Sequence, residues 1–321
     1  MYSWGPEDTS AWKKSGFKYD DAKAPYLKSL KKEADLKGER SYLVKAEPDL
    51  KLVDPKGKKL YSASENPIQL VVDGTGSMQT WPKEIHDRIP LFYQTLVCYK
   101  PDLDVSLSVI GDAGADKWPL QVSDFGKGPR LDDYINALYA EGGGGPGIRE
   151  SYELFAYFAN NNVSTPKATN PFMIIMGDEK FYEKIDHKHI KKYTGEGLQE
   201  DLDSMDVWKQ LGQKFNIYLL RKSYAGRDEE ITAQWSEAIG AQKIIPVYDP
   251  LRVVDIAMGI VAKQWGKFSE FEKNLEARQD SKGIKSVMAS LSVAAPSFMD
   301  MKSKMGEGPS KVKKSKALTE E

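Results

Sequence analysis

Short apolar runs alternate with longer amphipathic segments through the middle of the chain. Runs that are apolar throughout are typical of strands buried on both faces, and they lie at residues 68–72, 105–110, 120–122, 172–176, 215–220 and 244–247. Apolar residues at helical spacing predict helices at residues 82–99, 131–139, 149–160, 232–239 and 251–277. Strands that alternate with helices predict an α/β domain. We therefore expect a doubly wound, mostly parallel sheet, Rossmann-like in its layout, with helices on both faces.

The two ends of the chain lack this alternation. Residues 1–66 form an N-terminal arm that is rich in charged and aromatic residues, and residues 20–37 within it are predicted to be helical. Because disordered segments contain few aromatic residues, we expect the arm to pack on the core domain or on another subunit. After a domain at residues 67–270, residues 271–321 are predicted to be a helix end and a flexible tail rich in Lys, Ser and Met, with a short helix near 284–291. Both ends are candidate contacts in a larger assembly.

Composition and charge narrow the class of protein. The length of 321 residues, with 40% hydrophobic and 29% charged residues, suits one soluble domain with extensions. The 46 basic and 47 acidic residues nearly cancel, which disfavours nucleic acid as a partner. No apolar run reaches the ~18 residues that span a bilayer, so a membrane is not expected as a partner. The first residues lack a secretory signal pattern and Cys98, the single cysteine, is expected to be a buried thiol, so we expect a cytoplasmic protein.

Oxygen-bearing side chains follow the first predicted strand at alternate positions. Asp73, Thr75 and Ser77 are separated by single glycines, which allow a tight loop to aim all three side chains at one point. One carboxylate and two hydroxyls suit a hard cation such as Mg²⁺ or Mn²⁺, which keeps several waters and leaves a position for a ligand. Asp178 follows another predicted strand, and the carboxyl ends of parallel strands meet at the same edge of a sheet. The sequence therefore predicts a divalent metal site at this edge.

This arrangement resembles the metal-ion-dependent adhesion site of von Willebrand factor A (vWA) domains, whose first motif is Asp-x-Ser/Thr-x-Ser. Asp73, Thr75 and Ser77 match that motif, and Asp178 matches the Asp that the family adds after a later central strand. The resemblance covers residues 67–265 and implies Mg²⁺ or Mn²⁺ held by these side chains, with a protein partner's Asp or Glu completing the shell. It implies a binding module without catalytic residues, either an adhesion module or an intracellular factor in the assembly of protein complexes. The lack of a signal pattern and of disulfide-forming cysteines favours the intracellular kind.

One part of the family's motif is absent. The family usually supplies a further Thr, or in some branches an Asp within a glycine-rich loop, but the glycine run at residues 142–147 contains neither. Glu150 follows the run at a predicted helix start, where the helix dipole would favour a carboxylate that points back toward the crevice. The branch with an Asp also tends to carry an Asp after the second strand, and Asp112 fits that position. Asp112 and Glu150 are therefore further candidate metal ligands.

Two other functions stay open. The altered glycine run is compatible with a structural subunit whose metal site has decayed and whose ends drive assembly. A Mg²⁺-dependent aspartyl-phosphate phosphotransferase would use Asp73 as its nucleophile and Asp178 as a metal ligand. Two related forms of that chemistry place an Asp at position 71 or a Lys at position 74, where this chain has Val71 and Gly74. These differences count against the enzyme.

Simpler explanations exist for each motif. The Asp73 loop also suits a helix cap, because Asp, Ser and Thr all cap helices well. The glycine run could cradle a phosphate, but no P-loop lysine follows it. The spacing of His187 and His189 is compatible with a zinc pair, but a solvated helix face is the favoured explanation.

Overall fold

The computed structural model describes residues 46–294, and a six-stranded, mostly parallel β-sheet forms its centre. The strands are β1 (Asn66–Asp73), β2 (Leu103–Ile110), β3 (Leu120–Val122), β4 (Phe172–Gly177), β5 (Asn216–Arg221) and β6 (Ile244–Pro246). Their order across the sheet is β6-β5-β4-β1-β2-β3, and β3 alone runs antiparallel to its neighbour. A strand was predicted at each of these positions, and the α/β class is confirmed. The chain order reverses between β1 and β4, so a crevice opens beyond their carboxyl ends.

Helices cover both faces of the sheet. They are α1 (Trp81–His86), α2 (Ile89–Val97), α3 (Arg130–Ala137), α4 (Tyr152–Asn162), α5 (His187–Thr194), α6 (Ser204–Lys214), α7 (Asp228–Ile239), α8 (Val253–Gln264), α9 (Phe268–Arg278) and α10 (Ser281–Leu291). Leu70 and Val72 of β1 enter one core with α1–α3 and α8–α10, whereas Val71 enters a second core with α4–α7. Both faces of the central strands are therefore buried, which explains why their sequences are apolar without alternation.

Short elements connect the edges of the domain. Three pairs of two-residue strands, Leu60–Tyr61 with Val163–Ser164, Arg149–Glu150 with Lys180–Phe181, and Lys184–Ile185 with Leu202–Asp203, lie outside the main sheet. Single turns of helix lie at Leu50–Val53, Gly76–Met78, Ala241–Lys243 and Pro250–Arg252. Val53 and Leu60 are buried, so the described part of the N-terminal arm packs on the domain. The helix predicted at residues 20–37 lies outside the described residues.

Two predicted helices are each divided in two. The segment 82–99 forms α1 and α2, because Pro90 near the start of α2 has no backbone N–H to continue a helix from α1. The segment 251–277 forms α8 and α9, and Gly266 between them has a φ of 68°, the left-handed conformation that ends helices. Each break therefore follows from the backbone properties of a single residue, Pro90 in the first case and Gly266 in the second.

The folded domain extends beyond the predicted boundary at residue 270. The short helix predicted near residues 284–291 is present as α10, but the prediction of a flexible tail is wrong for residues 278–294, because α9 and α10 pack on α8 in the core formed with the sheet. Phe271 and Leu291 approach Gly259 so closely that a β-carbon there would overlap Leu291. The rest of the predicted tail, residues 295–321, lies outside the described residues.

The expectation for the single cysteine is also wrong. Cys98 caps the end of α2 and is exposed, with its thiol donating to the carbonyl of Gln94 over 3.2 Å. The helix ends one residue earlier, at Val97, and the thiol lies outside the apolar stripe that α2 buries. Between residues 46 and 294, none of the helices has the length and apolar character that a membrane crossing requires.

Candidate metal centre

Four predicted ligands form a continuous line of oxygen atoms across the ends of β1 and β4. Asp73 ends β1 and is fully buried, and its Oδ1 accepts from the Thr75 backbone N–H (2.9 Å) and hydroxyl (2.6 Å). The Thr75 and Ser77 hydroxyl oxygens are 3.2 Å apart. Ser77 Oγ donates to Oδ1 of Asp178 over 2.9 Å. The structure thus brings together Asp73, Thr75, Ser77 and Asp178. The first and the last of these residues are 105 positions apart in the sequence.

Tyr152 holds the other oxygen of Asp73. It is the first residue of α4, it is buried, and its hydroxyl donates to Asp73 Oδ2. The Tyr152 ring packs edge-on against Trp235, with 5.4 Å between ring centroids. Gly177 at the end of β4 makes room for it, because a β-carbon at that position would overlap the tyrosine hydroxyl. The glycine therefore places the phenol beside Asp73.

Lys222 is bonded to the opposite end of the line. It follows β5, and its backbone N–H donates to the Gly177 carbonyl over 3.0 Å, which continues the register of the sheet. Its ammonium donates to Oδ2 of Asp178 (2.9 Å) and to the Ser77 carbonyl oxygen (2.8 Å). The side chain of Asp178 is fully buried whereas that of Lys222 is 21% exposed, so the lysine lies at the rim of the crevice.

Three further acidic side chains lie around this line. Asp112, Glu150 and Glu179 are each no more than 4% exposed. Burial raises the pKa of Glu150 and of Glu179, and repulsion from nearby carboxylates, Asp112 among them, adds to both shifts. One carboxyl oxygen of Glu150 and one of Glu179 are buried without a hydrogen-bond partner in the described structure. Asp112 instead accepts from the Tyr182 hydroxyl and from the Gly114 N–H. The crevice is therefore strongly acidic, and Asp112 is bonded to its own surroundings rather than to the line of oxygens.

Glu150 occupies a different element from the one predicted. It was expected at the start of a helix, but it lies in the two-residue strand that pairs with Lys180–Phe181, and α4 begins at Tyr152. The helix-dipole argument for its orientation is therefore wrong. A pairing that aligns Glu150 with Phe181 positions it instead, next to the strand end that carries Asp178 and Glu179.

The glycine run forms the wall of the crevice opposite β4. Its backbone bonds to the Asp73 loop at two points, from Gly142 N–H to the Gly74 carbonyl (2.9 Å) and from Gly76 N–H to the Gly143 carbonyl (2.7 Å). A β-carbon at any of three successive positions would overlap a different carboxyl group, namely Asp116 at Gly143, Glu150 at Gly144 and Asp112 at Gly145. Positions 143–145 therefore require glycine, because carboxyl groups pack directly against their backbone.

Burial sets the protonation of these acids. It raises the pKa of Asp73 to about 6, with repulsion from Asp178 as the next cause. Burial and then repulsion from Asp73 raise the pKa of Glu150 to about 10. Burial and then Asp178 raise the pKa of Glu179 to about 8, although a hydrogen bond with Ser77 opposes the shift. Carboxyl groups that resist ionisation in this way would ionise readily beside a bound cation.

These shifts predict a stability that falls as the pH rises. A carboxyl group whose pKa is raised by folding binds its proton more tightly in the folded chain than in the unfolded chain. Its protonation therefore stabilises the fold fully at pH values below the pKa of the unfolded chain, and this stabilisation is lost as the pH rises through the pKa of the folded chain. For Asp73 that window runs from 3.8 to about 6, and for Glu179 from 4.5 to about 8. In metal-free buffer, we expect the free energy of unfolding in urea to decrease between these limits, by about 1.4 kcal/mol per pKa unit for an uncoupled group. A stability that increases over this range would contradict the assignment.

A partly exposed group of three residues lies apart from the crevice. The carboxyl oxygens of Asp186 and Asp201 and Nδ1 of His187 lie within 4.8 Å of one another. Asp186 caps α5 by accepting from the Lys188 N–H, and His187 bonds to Asp201 over 2.7 Å. Capping and this histidine–aspartate contact account for the grouping. His189 lies beside the ring of Tyr193 and does not join the group.

Three residues of the crevice were not singled out from the sequence. Glu179 directly follows Asp178, and its position after a buried strand was a usable signal. Lys222 also follows a predicted strand, but its proximity to Asp178 depends on β5 lying next to β4, which the sequence does not reveal. Tyr152 carried no signal, because an aromatic residue in a helix is usually part of the core.

Comparisons with known proteins were made for the whole chain. No family model and no curated protein matches it. Among solved structures, the pilus adhesin SpaC from Lactobacillus rhamnosus GG is 15% identical with a TM-score of 0.45 over 65% of this chain and 32% of the adhesin. The open conformation of the adhesin gives 14% identity and a TM-score of 0.45, over 67% of this chain and 31% of the adhesin. Proximal thread matrix protein 1 from the mussel byssus gives 9% identity and a TM-score of 0.42 over 65% and 49%. The chain spans less than half the length of each, and similarities at this level carry no functional argument.

Proposed function

We propose that this chain is a doubly wound, vWA-type module that binds Mg²⁺ or Mn²⁺ and, through the ion, a protein partner. Asp73, Thr75, Ser77 and Asp178 would hold the ion. The observation that carries the proposal is the unbroken line of their oxygens between two strand ends, with contacts of 2.6, 3.2 and 2.9 Å. Hydroxyl hydrogens rotate to suit their neighbours, so Thr75 and Ser77 can present lone pairs to a cation.

The electrostatics of the crevice fit a divalent cation. Six acids are buried there (Asp73, Asp112, Asp116, Glu150, Asp178 and Glu179), and within residues 46–294 the ammonium of Lys222 is bonded to one of them, Asp178. A buried carboxyl oxygen without a partner destabilises the fold, and a cation nearby would offset that cost. Glu150 has such an oxygen and lies against the glycine run next to Thr75. It is therefore our candidate for the ligand that the glycine run does not supply.

The bound ion would supply a positive charge at the mouth of an acidic crevice. Hard divalent ions coordinate carboxylates and keep exchangeable waters, so an Asp or Glu of another protein can enter the shell. A protein partner with an exposed acidic side chain is therefore the ligand class that we propose, in a role in complex assembly. The proposed compartment is the cytoplasm, which the chain's single cysteine supports.

A ligand role for Asp73 is better supported than a nucleophile role. A phosphoryl acceptor needs an exposed oxygen, whereas Asp73 is fully buried with one oxygen bonded to Thr75 and the other to Tyr152. Incubation with acetyl phosphate and Mg²⁺, followed by mass spectrometry, would reveal a phosphorylated Asp73 if the enzyme hypothesis were correct. We expect no such product.

The proposed function is tested on the full-length protein in two stages. Titration calorimetry and thermal denaturation are expected to show heat and a raised melting temperature with Mg²⁺ and with Mn²⁺, since a ligand that binds the folded state stabilises it. Capture from a lysate with Mg²⁺, and again with a chelator, should then show a protein retained only with the ion. A flat titration and an unchanged melting temperature would instead identify a decayed site.

A further inference from the structure

The two carboxylates of the candidate metal centre share an arrangement that the proposed function does not use. Each has one oxygen in the line that faces Thr75 and Ser77, and each has its second oxygen bonded to a donor from another element. For Asp73 the donor is the Tyr152 hydroxyl, and for Asp178 it is the Lys222 ammonium. Neither carboxylate is therefore free to offer both oxygens to one ion.

The donor to Asp73 is held firmly. Tyr152 is 1% exposed, and Gly177 and Trp235 bound its ring and hydroxyl. A phenol in so closed a space cannot swing away without disturbing the strand end and the aromatic cluster. Oδ2 of Asp73 thus remains bonded whether or not an ion is near Oδ1.

The donor to Asp178 is held at two points. The Lys222 ammonium bonds both to Asp178 Oδ2 and to the Ser77 carbonyl, and its backbone bonds to Gly177. Removing the ammonium from Asp178 would therefore break a second hydrogen bond as well. The lysine fixes the orientation of the carboxylate, so that Oδ1, which accepts from Ser77, is the oxygen that faces the Asp73 loop.

The number of available oxygens decides which divalent ion a site prefers. Ca²⁺ takes about six to eight oxygen ligands and commonly uses carboxylates in a bidentate manner, whereas Mg²⁺ requires six in an octahedron and retains waters. We propose that Tyr152 and Lys222 are positioning residues that restrict Asp73 and Asp178 to one oxygen each and thereby make the centre select Mg²⁺ and Mn²⁺ over Ca²⁺. This inference rests on the proposed function, because it assigns a preference to the same site.

A competing explanation is that Lys222 only neutralises charge. The ratio of two affinities separates the explanations, because Mg²⁺ and Ca²⁺ carry the same charge. Loss of the lysine charge would strengthen the binding of both ions equally and would cancel in the ratio. Release of the second carboxylate oxygen would favour Ca²⁺ alone.

The experiment measures Mg²⁺ and Ca²⁺ dissociation constants by titration calorimetry for the wild type, Lys222→Met, Lys222→Arg and Tyr152→Phe. We expect the wild type to prefer Mg²⁺, and Lys222→Met and Tyr152→Phe each to reduce the Mg²⁺-to-Ca²⁺ affinity ratio about tenfold, the usual scale for partners of metal ligands. Lys222→Arg retains a cationic donor and is expected to restore most of the preference. Lys209→Met removes an exposed lysine and Tyr218→Phe removes a buried hydroxyl bonded to Gln264, so both serve as matched controls with an unchanged ratio.

The outcomes distinguish the two proposals. If the wild type binds neither ion, the proposed function fails. If it binds both ions but the ratio is the same in Lys222→Met and Tyr152→Phe as in the wild type, the proposed function survives and the assignment of selectivity is overturned. A wild type that binds Ca²⁺ as tightly as Mg²⁺ overturns it too.

Discussion

Replacing Asp73 with Asn is expected to abolish Mg²⁺ binding and to leave the ion-free protein at least as stable as the wild type. Asn keeps the size of the side chain and retains an oxygen that can accept from Thr75, so the loop keeps its bonds. It removes a buried carboxyl whose pKa is raised to about 6 by burial and by Asp178. Loss of that group relieves repulsion with Asp178 and Glu150. The Asp73 carboxyl group is thus expected to weaken the fold when no ion is bound, and to be required for binding the ion.

The two expectations are measured separately. Calorimetry should show at least about a hundredfold loss of Mg²⁺ affinity, since removing a direct ligand exceeds the effect of removing its partners. Urea denaturation in metal-free buffer should show a free energy of unfolding for Asp73→Asn that equals or exceeds that of the wild type. The pH is set at about 7.5, which is about 1.5 units above the pKa of Asp73. Asp206→Asn, which removes an exposed acid of α6, is the control. Unaltered Mg²⁺ affinity in Asp73→Asn would remove the basis of the metal centre.

Replacing Arg278 with Met is expected to cause a large loss of stability, although the residue lies outside the crevice. Arg278 ends α9 and is fully buried, and its guanidinium lies 2.9 Å from Oδ1 of Asp255 in α8. Removing one member of a buried ion pair leaves the other charge uncompensated, which typically destabilises a protein by about 3–5 kcal/mol. Gln279 still donates to the Asp255 carboxylate, and Arg252 lies 4.0 Å from it. We therefore expect a loss near the lower limit, about 3 kcal/mol.

Chemical denaturation of the full-length protein measures this loss. Arg130→Met is the matched control, because its ion pair with Asp133 is 2.8 Å long but half exposed, and such surface pairs contribute at most about 1 kcal/mol. Equal effects of the two substitutions would show that the interior pair does not attach α9 to α8. If Arg278→Met unfolds in a single transition at a lower denaturant concentration than the wild type, the C-terminal helices belong to the same cooperative unit as the sheet.

The central sheet could be predicted because its strands are buried on both faces. Such strands are apolar at every position, and the helices that cover them separate the runs clearly. The convergence of Asp73 and Asp178 followed from the same logic, since parallel strands end at one edge. What the sequence did not reveal is strand order, and the position of Lys222 beside Asp178 depends on it.

Errors at the ends of elements had larger consequences for the site than for the fold. The helix predicted to start at residue 149 starts at Tyr152 in the structure. Glu150 therefore lies in a strand rather than a helix, and the Tyr152 hydroxyl lies beside Asp73. The helix α10 was predicted near residues 284–291, but its place in the folded domain was not, because charged and small residues dilute the apolar spacing of Val287 and Leu291. Only tertiary packing on α8 makes that segment part of the domain.

The glycine run also governs the order of arrival at the crevice. It packs backbone rather than side chains against Asp116, Glu150 and Asp112, so this wall of the crevice adds no positive charge to offset the buried acids. A partner's acidic group that arrived before the cation would meet repulsion, whereas the cation itself would be drawn in. If the crevice binds as we propose, loading with the ion must come first, and the local supply of the ion would set how fast the partner can associate.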